Sequence, residues 1–176
     1  MMKMTKFNAI LKEHKDRVYS YALYLSKNQD DAEDITQEVF VKLYHQLENN
    51  QPEKPEAWLM RVTHNHCMDY MRRRSAVHRR QTDLKDWTHP GDYTDMESPD
   101  ATVESKETRE RLFSAMDQLP NKTRSILLLH YFQGMKLDEI AGAMELNLNT
   151  VKVTLHRGRK MLEDTIQQYY PELKEV

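Results

Sequence analysis

Between residues 75 and 104 the chain loses every trace of hydrophobic period, and this interruption limits what it can fold into more than any other feature. The stretch contains HPGD and SPD, with Trp87 and Tyr93 as its only aromatics, and carries 3 basic against 7 acidic residues. Thirty residues without regular structure do not sit inside a compact domain, so the interruption reads as an acidic flexible linker. The expected organisation is a domain at 1–74, a linker at 75–104 and a second domain at 105–176. Each domain is small, with a limited core, and stands to gain stability from partners. Only 4 glycines among 176 residues, with 31% charged and 39% hydrophobic residues, favour helices over sheet, so both domains are expected to be all-α. A formal net charge of −2 excludes a uniformly basic coat, and any nucleic-acid binding must come from local asymmetry. The single cysteine, Cys67, cannot form an internal disulfide. With no signal-peptide core and no long apolar run, the chain is expected to be soluble, unprocessed and cytoplasmic, without membrane insertion.

On the N-terminal side, Phe7, Ile10, Leu11, Val18, Tyr21, Ala22 and Leu25 share one face of a first helix over residues 5–26. Asn28, Asp30 and Asp31 turn the chain and give the second helix an acidic start. That helix, to about residue 48, buries Ile35, Val39, Leu43 and Leu47. Asp34, Gln37, Glu38 and Val41 lie on another face, with the large rings of Phe40 and Tyr44 beside it. A solvated acidic face is the ordinary explanation, which the two rings do not fit well. The sequence NNQPEKPE at 49–56 forms a polar loop. A third helix over 55–74 follows, carrying Trp58, Leu59, Val62, Cys67 and Met71 and ending in Arg72, Arg73 and Arg74. That arginine run also suits the C-terminal end of a helix dipole. Trp58 reads either as a core ring or as a stacking platform, with Arg61 and Asn65 following at i+3 and i+7.

Beyond the linker, Arg109, Leu112, Met116 and Leu119 define a fourth helix, and Pro120 begins a fifth that runs to about Gln133 before Gly134 reverses the chain. Residues 136–161, KLDEIAGAMELNLNTVKVTLHRGRKM, then have the pattern of a helix-turn-helix. Leu137, Ile140, Ala141 and Met144 line a short sixth helix. Asn149 is the expected N-cap of the seventh, which buries Val151, Leu155 and Leu162. Its other face presents Lys152, His156 and Arg159, flanked by Arg157 and Lys160, with no acid between Thr150 and Leu162. Such a helix suits phosphate neutralisation and base reading in a major groove, although basic helix surfaces are also common as plain solvated faces.

Three segments in order, DAEDITQEVFVKLYHQL at 31–47, PEAWLMRVTHNHCMDYMRRR at 55–74 and LDEIAGAMELNLNTVKVTLHRGR at 137–159, resemble the extracytoplasmic-function class of bacterial sigma factors. The resemblance spans nearly the whole chain and implies two helical domains, region 2 and region 4. It implies a transcription initiation factor that binds core RNA polymerase and promoter DNA, opens the duplex, needs no cofactor or metal, and is not an enzyme. Asp34, Gln37, Glu38, Phe40, Val41 and Tyr44 become the polymerase contact. Loop 49–56 would capture an extruded base of the minus-ten element. Trp58, Met60, Arg61 and Asn65 would read that element, with Arg72, Arg73 and Arg74 holding phosphates. Thr150, Lys152, Val153, His156, Arg157 and Arg159 would contact the minus-thirty-five element. An anti-sigma partner is implied, and a monomer when free. Two promoter elements about two helical turns apart lie roughly 70 Å from one another, within reach of an extended thirty-residue linker.

The chain departs from the family at three positions: Glu145 and Asn149 stand where glycines are usual, and Thr154 where an arginine is. Asn149 is a mild change, Glu145 is expected to alter the turn, and Thr154 removes a phosphate contact. The principal alternative is a two-domain DNA-binding regulator that does not engage polymerase. A metal or redox reading built on His64, His66 and Cys67 fails because three ligands within four residues of one helix cannot converge. No Walker loop, HExxH or nucleophile elbow supports an enzyme.

Overall fold

The computed structural model describes residues 2–50, 52–80 and 103–171. The chain divides into two compact units, with the division between Pro90 and Gly91. No strand occurs among the described residues. Of the linker expected at 75–104, residues 81–102 lie outside them.

The first unit is built from α1 (Met2–Ser26), α2 (Gln29–Asn49) and α3 (Pro55–Arg80). Near its C-terminal end α1 is covered on all sides: Tyr21, Ala22, Leu23, Tyr24, Leu25 and Ser26 are all buried, because α2 and α3 both pack against it. Opposite them sit Ile35, Val39 and Leu43 of α2 and Leu59, Met60 and Cys67 of α3. Each fully buried side chain of this size contributes roughly 1.5–3 kcal/mol. Lys27 ends α1 in the left-handed region (φ 56°), and Asn28 then caps α2, its side chain accepting the Asp31 N–H at 3.0 Å. Helix α3 continues to Arg80, six residues past the expected end at Arg74. The residues 75–80 contain no glycine or proline, so nothing in the sequence there ends the helix.

The second unit contains α4 (Val103–Asp117), α5 (Asn121–Leu127), α6 (Leu137–Ala143) and α7 (Leu148–Tyr169). Helix α4 begins just inside the stretch expected to be linker. Helix α5 widens into a π-helical turn over Leu128–Phe132, closed by a Gln133 N–H to Leu128 carbonyl bond of 3.0 Å. Gly134 (φ 66°) reverses the chain as its position after the helix predicts. Helix α7 crosses close to α5 at Gly158. A Cβ there would lie 2.5 Å from the Thr123 methyl, so only glycine allows this approach. Arg124 is buried on the same helix α5, and its guanidinium donates to Asp117 at 2.9 Å and to Asn121.

Two details of the helix-turn-helix differ from expectation. Asn147, not Asn149, caps α7, accepting the Thr150 N–H at 2.7 Å. The reason is the flanking pair Leu146 and Val151, which stand at the N′ and N4 positions of an apolar staple around Asn147. Glu145 does not divert the turn. It adopts the left-handed conformation itself (φ 55°), and the Leu146 N–H closes on the Ala141 carbonyl at 2.9 Å, the bond a glycine-ended helix makes.

Candidate partner and nucleic-acid interfaces

Helix α2 turns Ile35, Val39 and Leu43 inward, so Asp34, Gln37, Glu38 and Val41 emerge together, Val41 at 55% exposure. A single exposed valine is ordinary, but Val41 borders further apolar surface on this side of the helix. Phe40, expected on this face, is buried and meets Phe7 edge-on with ring centroids 6.4 Å apart. It sits five positions after Ile35 and one after Val39, on the inner side of the helix, and supports the face from beneath. Tyr44 is half-buried, with the Phe7 ring 5.5 Å away and the Lys3 ammonium 3.5 Å from its ring centre. An apolar groove of about 440 Å³ runs beside the face, lined by Phe7, Leu11, Phe40, Val41 and Tyr44.

Helix α3 places Trp58, Arg61 and Asn65 on one outward line. Trp58 is half-buried, while Arg61 and Asn65 are exposed and make no side-chain bond among the described residues. Met60 does not join them. It is 1% exposed and belongs with Thr63, His64 and Cys67 on the inner face, at i+3, i+4 and i+7. Its expected contact with DNA is therefore replaced by a core role. Of the loop at 49–56, Gln51 lies outside the described residues; Glu56 accepts from Arg17 at 2.5 Å, which fixes the start of α3 against α1.

The three arginines after Met71 are not equivalent. Arg72 pairs with Asp69 at 3.0 Å. Arg74 reaches back to the start of α2: its guanidinium lies 3.4 Å from the Tyr70 hydroxyl and 3.9 Å from Asp31, while Tyr70 donates to the same Asp31 carboxylate. Burial, then the bond to Asp31, holds the Tyr70 hydroxyl above its ordinary pKa, so it stays a donor. Arg73 is exposed and makes no ion pair among the described residues.

The trio His64, His66 and Cys67 is dispersed. His64 is buried with Nδ1 3.0 Å from the Tyr21 hydroxyl, and burial lowers its pKa to about 4, so it is neutral in the folded chain. Burial pushes the Cys67 thiol up to about 12, which leaves it unreactive. His66 faces the other way, with Nδ1 3.1 Å from Glu38, linking the acidic face of α2 to α3. Burial and the nearby Lys42 charge lower its pKa.

On α7, Val151, Leu155 and Gly158 are buried, which leaves Lys152, Val153, His156, Arg157, Arg159 and Lys160 exposed; Thr150 is half-buried. None of these cations forms a hydrogen bond or ion pair among the described residues. Asn149, relieved of capping, is exposed on the same face, and its carboxamide makes no bond among the described residues.

Sequence reading missed His66 as the partner of Glu38 and Asp31 with Tyr70 as the partners of Arg74. Nothing local signals pairs so distant in the chain. The reassignment of the cap from Asn149 to Asn147 was recoverable from the Leu146 and Val151 staple.

Residues 10–77 match the family described as Sigma-70 region 2, and residues 109–162 match Sigma-70, region 4. The chain is 35% identical over 173 residues to the ECF RNA polymerase sigma factor SigE of Mycolicibacterium smegmatis, covering 96% of this chain and 65% of that protein. Over 163 residues it is 28% identical to the ECF RNA polymerase sigma factor SigX of Bacillus subtilis, covering 91% of this chain and 82% of the relative. The sigma factor RpoE of Bartonella quintana, solved with the anti-sigma factor NepR, has the same fold, with a TM-score of 0.73 at 19% identity over 92% of this chain and 97% of that one. The chain belongs to the extracytoplasmic-function class of RNA polymerase sigma factors. No helix among the described residues is long and apolar enough to cross a membrane.

Proposed function

We propose that this chain is a transcription initiation factor that recruits core RNA polymerase, reads two promoter elements and promotes opening of the duplex between them, without catalytic activity of its own. The observation that carries this reading is the pairing, in one chain of this class, of an α7 face bearing uncommitted cations with a first unit that presents both an acidic, valine-centred face and the line Trp58, Arg61, Asn65. The first suits duplex DNA, through phosphate neutralisation and major-groove contacts. The second suits a protein partner on α2 and single-stranded DNA on α3, where an aromatic ring and a cation stack and hold unpaired bases.

On this reading Asp34, Gln37, Glu38 and Val41 contact core polymerase, with Tyr44 at the rim and Phe40 behind them. Trp58, Arg61, Asn65 and Arg73 engage the minus-ten strand. Lys152, Val153, His156 and Arg157 lie toward the bases of the minus-thirty-five element, with Thr150 and Arg159 toward its backbone. The domains, expected at 1–74 and 105–176, take in α3 to Arg80 and α4 from Val103 and are joined by a linker that spans the two elements. The protein works in the cytoplasm, and its activity is restrained by an anti-sigma factor.

Transcription from linear templates with purified core polymerase, with and without the chain, tests this reading. Promoter-dependent product is expected only with it, and its absence across a promoter library would overturn the proposal. Alanine at Asp34, Gln37 and Glu38 together should abolish the product. Unchanged transcription in that variant would favour a DNA-binding regulator that does not engage polymerase.

A further inference from the structure

Asn149 is the one polar side chain on the reading face of α7 whose role the fold changes. Because Asn147 makes the capping bond to Thr150, the Asn149 carboxamide is left exposed with both its donor and its acceptor unspent among the described residues. One turn further on stands Val153, 40% exposed, an aliphatic side chain in the middle of a basic helix face. Asn149, Lys152, Val153 and His156 stand at i, i+3, i+4 and i+7, so they form one continuous patch.

The two chemistries are complementary to one kind of base pair. A carboxamide donates and accepts at once, which matches the N6 amino group and N7 of adenine in the major groove. An aliphatic side chain matches the 5-methyl group of thymine, which no other base carries. Asn149 and Val153 are separated by about 6 Å along the helix axis, four residues at about 1.5 Å each. That is less than two base steps at about 3.4 Å. They can therefore address a single base pair or two adjacent ones. Lys152 beside them carries three donors and no acceptor, and favours guanine at a neighbouring position.

We infer that Asn149 and Val153 act together as an A·T-reading pair, so that the upstream element of this factor carries adenine and thymine under the first two turns of α7. The inference rests on the proposal that α7 reads that element.

The test begins with a linear duplex library randomised over both promoter elements and retained by the full chain assembled with core polymerase. In the best retained sequence, each upstream thymine is then replaced by deoxyuridine, which removes only the methyl, and each upstream adenine by 7-deazaadenine, which removes only the N7 acceptor. Because the changes are in the DNA, folding of the protein is not in question. Loss of one methyl should weaken retention about fourfold, and loss of one N7 about tenfold. The first effect should vanish in Val153→Ala and the second in Asn149→Ala. Base effects of equal size in the variants, or an upstream element lacking A·T under α7, would overturn the pair while leaving α7 as reader, provided Lys152→Ala and Arg157→Ala still erase the upstream enrichment. No upstream enrichment at all would overturn the reading by α7, and the pair with it.

Discussion

Helices α2 and α3 hold several of their charged side chains in pairs, whereas the outer face of α7 does not. In the first unit, Glu38 is engaged by His66, Arg72 by Asp69, and Arg74 by Asp31 and Tyr70. In the second, the cations of α7 make no bond among the described residues. A partner that takes Glu38, Arg72 or Arg74 must displace pairs that already exist, so its gain there is a difference between two sets of contacts, although the groups begin well oriented. A partner of α7 meets charges with nothing to displace but water and counterions, and binding there should depend steeply on salt. A protein interface and a duplex-DNA interface thus require different preparation, and one chain contains both.

The largest effect expected concerns Arg124, a buried arginine that the second unit does commit. Arg124→Ala removes one buried partner of Asp117 and should destabilise that unit by about 3 kcal/mol. Urea unfolding followed by a probe in the second unit would report it. A loss under about 1 kcal/mol would mean that Arg124 resembles the α7 cations after all.

Next is the pH response of the first unit. His64 is neutral when folded, with a pKa lowered by burial from 6.5 to about 4. The unfolded chain therefore binds the extra proton between these values, and the stability present above about pH 6.5 is lost as pH falls toward 4. The loss amounts to about 3 kcal/mol at most. The difference in unfolding free energy between the wild type and His64→Gln, followed from pH 7.5 to 4.5, should shrink as pH falls. A constant difference would rule out His64 as the source.

A direct contrast comes from salt titration of promoter binding. Arg159→Ala should weaken binding about tenfold and lower the slope of log affinity against log salt by about 0.9, one phosphate contact. Arg74→Ala should leave the slope nearly unchanged, because Arg74 is held by Asp31 and Tyr70. Equal changes in slope would erase the distinction between committed and free arginines.

The smallest effect is one the units share. Lys27 and Glu145 each end a helix at φ near 55° (56° and 55°), where a side chain is strained and glycine is not. Lys27→Gly and Glu145→Gly should each raise stability by about 0.5–1 kcal/mol, read as a small rise in Tm. A fall at either site would show that its side chain contributes more than the strain removes.

Much of this was legible from residue order. Ile35, Val39 and Leu43 mark the buried stripe of α2, and Val151 and Leu155 that of α7, because helical period converts spacing directly into facing; Leu47 and Leu162, expected in the same stripes, are only half-buried toward the helix ends. The exposed set Asp34, Gln37, Glu38 and Val41 followed from the same rule. The assignments of Phe40 and Met60 failed for a related reason: each borders the stripe, and whether a bordering residue is buried depends on the helix opposite. For Phe40 that is the Phe7 ring of α1, and for Met60 the close packing of α3 within the first unit.

Local period and charge, which depend only on near neighbours in the chain, determined by themselves that this protein is helical, that it has a helix-turn-helix with a basic outer face, and that an acidic stretch interrupts it. Only the tertiary structure decided which of those charges remain available. The pairs Glu38 with His66 and Asp31 with Arg74 join residues tens of positions apart, and a side chain's freedom depends on what packing brings within about 4 Å of it, which periodicity does not encode.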